Sequence, residues 1–251
     1  MKRRGQVAVF IILGIALVVV ILFLFKQNIF SIVSSPKDPS TSIQECVKTS
    51  VEEALKILEP QGGQINPDFY YRYQGNNLSY LCYTEEYMKT CVMQKPLVTK
   101  SISKEIENYI RPSVEDCLES VKQNQESKGF SVSMKKPNIT VELVPDNIKV
   151  TVDSDFTMSD GESTQSYKSI KTNINSRLYN LAMIAGSILN WEAYYGEAVS
   201  MNYMFNYPSI KVEQYKQGDG TIVYILTDRA TNEKFMFASR SLVVPPGITG
   251  E

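Results

Sequence analysis

Residues 6–25 read QVAVFIILGIALVVVILFLF, a run with no charge and one polar side chain, Gln6, at its edge. A helix of that length rises about 30 Å, the thickness of a bilayer's hydrocarbon core. Isoleucine, valine and phenylalanine crowd the run, so propensity alone allows a strand. In lipid, however, a strand leaves its backbone groups unpaired, whereas a helix satisfies them internally. The run predicts a transmembrane helix, continuing to residue 33. Lys2, Arg3 and Arg4 precede it and only Lys26 follows closely. That asymmetry makes 1–5 a cytoplasmic basic flank and sends the chain beyond the helix out of the cytoplasm. A cleaved secretory signal has an apolar region of ~7–15 residues that ends in small residues. This run is longer, and Ser34-Ser35 is followed by Pro36, so a permanent single-pass anchor in the bilayer is expected.

The rest of the chain meets the chemistry of the exterior. It contains no histidine, which excludes triads and zinc sites built on imidazole and removes the side chain that titrates near neutrality. Without the four basic residues that flank the run, 22 basic residues face 27 acidic ones, a balance of about −5 that suits solubility and not the grip on phosphates that nucleic acid requires. The four cysteines, Cys46, Cys82, Cys91 and Cys117, contain no CxxC pair. A four-cysteine metal site is therefore not expected, and disulfides are. Three pairings are open. Cys82–Cys91, closing a short loop, and Cys46–Cys117, tying two helices together, are favoured. No metal or cofactor is expected.

Beyond the anchor, 34–42 (SSPKDPSTS around Pro36 and Pro39) reads as a linker. A helix should start near Thr41 or Ser42 with Glu45 in a capping box. Its apolar positions Ile43, Cys46, Val47, Val51, Ala54, Leu55 and Leu58 form one face that stops at Pro60 and Gly62-Gly63. Leu97 to Lys128 is a second amphipathic helix, with Pro112 as a kink or break after Arg111. These segments make 43–128 a helical, disulfide-containing part. From Gly129 the pattern alternates or turns β-branched, and 129–251 reads as a sheet-rich part around a central helix from Ile174 to Tyr195, interrupted by Gly186. Pro145-Asp146-Asn147 and Gly218-Asp219-Gly220 mark hairpins, Ser200 to Tyr207 a short helical turn, and Pro245-Pro246-Gly247 the end of the domain. The fold class is α+β: two or three helices on a largely antiparallel sheet of six or seven strands.

Two clusters offer chemistry. Tyr70, Tyr71 and Tyr73, with Tyr80, Tyr83 and Tyr87, suit stacking on sugars or a partner; the plainer reading is that they seal a loop-rich region. Asp153 and Asp155 share a strand face, with Asp160 and Glu162 close behind, and suit calcium or an acid–base pair; a turn and a polar strand face explain them equally well. Two sequons, Asn77-Leu78-Ser79 and Asn138-Ile139-Thr140, fit an exterior location.

The opening Arg3-Arg4-Gly5-Gln6, followed at once by the apolar run, resembles the class III signal of archaeal type IV pilins and archaellins. That resemblance implies cleavage between Gly5 and Gln6 and packing of the freed helices with other pilus subunits. Ala8 stands where many of those proteins carry serine, and Phe10 where they carry the glutamate thought to pair with a neighbour's amino terminus. A basic flank that sets orientation explains the same residues. The segments GQVAVFIILGI, ECVKTSVEEALKILEPQGGQI, YLCYTEEYMKTCV, LYNLAMIA, QGDGT and TDRATNEKF also resemble N-terminally anchored membrane proteins of DPANN-type archaea, a group that brings no activity or site residues with it. The expected function is a non-enzymatic, membrane-anchored cell-surface protein for structure, adhesion or assembly, pilin-like in one version. The alternative is a ligand- or glycan-binding exterior domain, and a third reading is a tethered hydrolase using Asp153, Asp155 or Glu162.

Overall fold

The structure, a computed structural model, describes residues 38–243 and, within the apolar run, Gly14 and Leu17, both helical. The expected anchor 6–33, the Gly5-Gln6 junction, residues 34–37 of the linker and Pro245-Pro246-Gly247 lie outside the described residues. Among the described residues, no helix is long and apolar enough to cross a membrane. The chain divides into two units, Met1–Thr41 and Ser42–Glu251, and every described strand belongs to the second.

Helix α1 (Pro39–Leu58) begins inside the stretch expected to be linker. Proline suits the first turn, where its missing N–H costs nothing. Asp38 takes the capping role expected of Thr41 or Ser42: its carboxylate accepts from Ser40 N at 3.3 Å and its carbonyl from Thr41 N at 2.9 Å. Ile43, Val47, Val51, Ala54 and Leu58 are fully buried on one face. The helix ends where Glu59–Gln61 tighten into a 3-10 turn carrying Pro60. Gly63 follows at φ +81°, where a Cβ would lie 2.5 Å from Ile102 Cγ1, so the backbone passes where no side chain fits.

Helix α2 (Val98–Ser127) buries Val98, Ile102, Ile106, Ile110, Val114 and Leu118, a stripe in strict steps of four. It runs unbroken through Pro112, contrary to the expected kink or break. The stripe stays in phase on both sides of the proline, and each buried aliphatic contributes about 1.5–3 kcal/mol, against the ~3 kcal/mol cost of proline inside a helix. The second half of α2 is also tied to α1 by the Cys46–Cys117 disulfide and by a 2.8 Å bond between the Ser50 and Ser113 hydroxyls.

Two sheets replace the single one expected. The first runs β1 (Tyr70–Tyr73), β2 (Asn76–Tyr83), β10 (Lys234–Arg240), β9 (Thr221–Asp228) and β8 (Ile210–Lys216), with β3 (Val92–Met93) added to β2. All its pairs are antiparallel except β2 with β10, so strands from 43–128 and 129–251 share one sheet. The second is antiparallel: β5 (Asn138–Val144) pairs with the first half of β6 (Asn147–Ser159), β4 (Ser131–Ser133) with its last residues, and β7 (Thr164–Asn175) along its length. Helix α3 (Leu178–Tyr195) touches strands of both sheets and α2. It starts after Ile174, which remains in β7, and passes through Gly186 without interruption. The short α4 (Ser200–Asn206) leads to β8, giving four helices within 38–243 of an α+β fold.

The disulfides join Cys46 to Cys117, between α1 and α2, and Cys82 to Cys91, at the β2–β3 connection; no described cysteine is free. In the chain-entropy model the longer ring stabilises by about 4 kcal/mol and the shorter by about 2.5 kcal/mol. Denaturant unfolding of the Cys46→Ser/Cys117→Ser chain is therefore expected to show the larger loss, and the Cys82→Ser/Cys91→Ser chain the smaller.

Candidate functional site

The structure separates the residues expected to carry chemistry. In β1, Tyr70 is exposed, while Tyr71 and Tyr73 alternate to the other face and are half-buried. They pack over Leu78, Val223, Ile225 and Met236, a small apolar cluster beside the main core. Tyr71 Oη donates to Gln217 Oε1 at 3.2 Å, and the Tyr73 ring lies 6.0 Å from that of Tyr215 on β8. Tyr80 is buried with its hydroxyl 2.8 Å from Thr221 Oγ1, the Arg240 guanidinium lies over the Tyr83 ring, and Tyr87 is exposed. The tyrosine-rich hairpin is thus largely a cover for the first sheet.

The acidic cluster has local duties. Lys135 Nζ donates to Asp155 Oδ2 at 2.6 Å, and Asp155 sits at the bulge that offsets β6 against β7, at φ +46°. Asp160 Oδ1 accepts from Glu162 N at 3.0 Å and Ser163 N at 2.7 Å, closing the hairpin tip. Asp153 lies opposite Asn138 and Ser169, away from that tip. Among the described residues, no group of three potential ligands stands close enough to hold a metal.

Polar groups fix α3 at both ends. At its start Arg177 N donates to Glu233 Oε2 at 2.6 Å and Ser176 Oγ to the same oxygen at 2.9 Å, so a carboxylate from the β9–β10 turn meets the positive end of the helix dipole. The Arg177 guanidinium bonds Asp146 in the β5–β6 turn and lies 3.8 Å from buried Asp228, joining the turns of both sheets. Near the C-terminus Glu192 is fully buried. Its Oε1 accepts from Tyr224 Oη and, at 3.2 Å, from Ala198 N; its Oε2 accepts from Ser239 Oγ at 3.0 Å. Burial raises the Glu192 carboxyl above its ordinary range although these donors act the other way. Burial and the neighbouring Glu192 hold the Tyr224 hydroxyl far above its ordinary value, so it remains a donor.

The bond from Ala198 fixes the turn between α3 and α4, and that turn borders a concavity between the two helices. A cleft of about 530 Å³ opens between the two helices, walled by Trp191, Tyr203, Tyr207 and Val199. Ser187, Asn202 and Asn206 supply its polar groups, and the Ser187 and Tyr203 hydroxyls stand 3.1 Å apart. Trp191 is braced by Tyr195, ring centroids 4.8 Å apart. Further hollows continue along the outer face of α3, one past Asn190 and Tyr194, the other past Met183 and Leu97. Tyr194, Met201 and Phe205 are 81%, 72% and 85% exposed, so large apolar side chains of both helices face outward. Glu192, buried, and Glu197 are the only charges between 178 and 209, and Glu197 pairs with Lys216.

Sequence reasoning placed α3 as a buried helix and passed over its outer face. The signal was present in AYYGEAVSMNYMFNY, dense in aromatic residues and nearly free of charge. Compared with known proteins, the chain matches no family model, no curated protein and no solved structure.

Glu59, in the 3-10 turn after α1, is pushed up to about 8 by burial and by the charge of Glu233. A carboxyl protonated in the fold and ionised in the unfolded chain stabilises fully below about 4.5, and that contribution is lost as pH rises through about 8. Thermal unfolding followed from pH 5 to 8 is expected to show stability falling on the order of a few kcal/mol. Glu59→Gln is expected to flatten that fall.

Proposed function

We propose that this chain is a non-enzymatic, single-pass membrane-anchored surface protein, held in lipid by residues 6–25, whose folded domain serves adhesion or assembly outside the cytoplasm. One observation carries the binding role: Trp191, Tyr194, Met201 and Phe205 of α3 and α4 stand exposed together with few charges between them in sequence.

Chemistry supports the assignment as well. Two disulfides suit an oxidising compartment, and Asp155 and Asp160 are engaged in an ion pair and a turn, not aimed across a cleft. The resemblance at Arg3-Arg4-Gly5-Gln6 extends the proposal to a pilin-like subunit freed at Gly5-Gln6, in a DPANN-type archaeal envelope.

Protease shaving of intact cells is expected to remove the domain, with its thiols unreactive to maleimide until reduced; a protected domain with reactive thiols overturns the reading. Tyr194→Lys/Phe205→Lys is expected to abolish cell-surface assembly or adhesion while shifting the melting temperature by no more than about 2 °C, since both side chains are exposed. Mass spectrometry of the mature N-terminus separates the versions: a start at Gln6 supports the filament subunit, and a start at Met1 or Lys2 leaves a simple tethered domain.

A further inference from the structure

We infer that the cleft between α3 and α4 binds a neutral saccharide. This rests on reading the α3–α4 surface as the binding face, and it moves the candidate glycan site from the β1–β2 tyrosines to residues more than a hundred positions further along the chain.

The lining itself selects the ligand class. A sugar ring presents patches of C–H that lie against aromatic faces, and a rim of hydroxyls that each donate and accept. Trp191 and Tyr207 offer the faces, and Asn202, Asn206 and Ser187 the neutral polar partners. Among the described residues, no hydrogen bond occupies the side-chain amides of Asn190 and Asn202. Asn206 Nδ2 is held by Asn202 O at 2.8 Å, which leaves its Oδ1 as an acceptor. Among the described residues, no cation lines the cleft, so an anionic lipid headgroup or phosphate finds no counter-charge. An acyl chain would leave the amides unpaired, at a desolvation cost. A concave site that sets three aromatic rings beside three neutral polar side chains has the mixed lining a small polar molecule with apolar faces needs. The hollows past Asn190 and Met183 extend the cleft along α3; from Met183 to Tyr195 the helix rises about 18 Å, which suits an oligomer better than one ring.

Trp191 is the chain's one tryptophan, so intrinsic tryptophan emission reports on this cleft alone. The full chain, reconstituted in lipid vesicles, which add no tryptophan, is titrated with cellobiose, mannobiose and chitobiose, and with a sialylated trisaccharide as the charged comparison. Saturable change in Trp191 emission with at least one neutral disaccharide, and none with the charged sugar, is expected. Tyr207→Ala is expected to weaken that binding about five- to tenfold and Asn202→Ala, on an exposed side chain, about threefold, both read through Trp191. Tyr70→Ala leaves it unchanged. If no neutral sugar perturbs emission while acrylamide still quenches Trp191, the cleft is open and the saccharide inference falls. If assembly nevertheless depends on Tyr194 and Phe205, the surface takes a protein partner and the anchored-surface reading survives alone. Sugar binding by a chain that intact-cell proteolysis cannot reach upholds this inference and overturns that reading.

Discussion

A carboxylate taken out of water must be met by donors or it destabilises the fold that contains it. Glu192 is met by three: the Tyr224 hydroxyl from β9, the Ser239 hydroxyl from β10 and the Ala198 amide from the turn beyond α3. Each donor comes from a different segment, so this single side chain fixes the helix, the sheet and the turn relative to one another. The short disulfide lies in the same network. Ser239 Oγ also sits 3.7 Å from Cys91 Sγ, and Ser241 Oγ accepts from Cys91 N while donating to the Glu192 carbonyl. Removing the carboxylate would leave several buried donors unpaired at once.

With that end held, α3 acts as a strut between two sheets. Its apolar side chains Leu181, Ala185, Ile188 and Leu189 lie in the main core, while Arg177 and the amide beside it tie the N-terminus to Asp146 and Glu233. Fixing both ends constrains where the helix's outer face points. Gly196, in the left-handed region at φ +85°, ends the helix and leaves room for Val243, where a Cβ would collide. The chain then turns into α4, and the walls of the cleft are set by a turn that Glu192 itself positions.

Aromatic residues do opposite work in the two halves of the domain. On β1 and β2, Tyr71, Tyr73 and Tyr83 fold over an apolar sheet face and engage their polar atoms with Gln217, Gln74 and Glu85. On α3 and α4, Trp191, Tyr194 and Phe205 have no covering layer among the described residues. The residue types are similar; what differs is whether another element lies above them. The acidic residues follow the same logic, since Asp155 and Asp160 look like a cluster in sequence and serve a bulge and a turn in space.

The amino acids alone determined the local elements. The four-residue steps from Val98 to Leu118 require one buried helical face, and Pro145-Asp146-Asn147 and Gly218-Asp219-Gly220 require reversals, because these signals act between near neighbours. The spacing of the cysteines favoured the observed pairs for the same reason: one loop is short, and the other links two helices already recognised. Tertiary structure decided the rest. Alternation cannot reveal that β2 joins β10 in parallel across some 150 residues, nor that the strands divide into two sheets, since pairing partners are chosen by what else competes for an edge. Whether the face bearing Trp191 is core or surface likewise depends on elements remote in sequence, and periodicity carries no information about which layers the fold leaves uncovered.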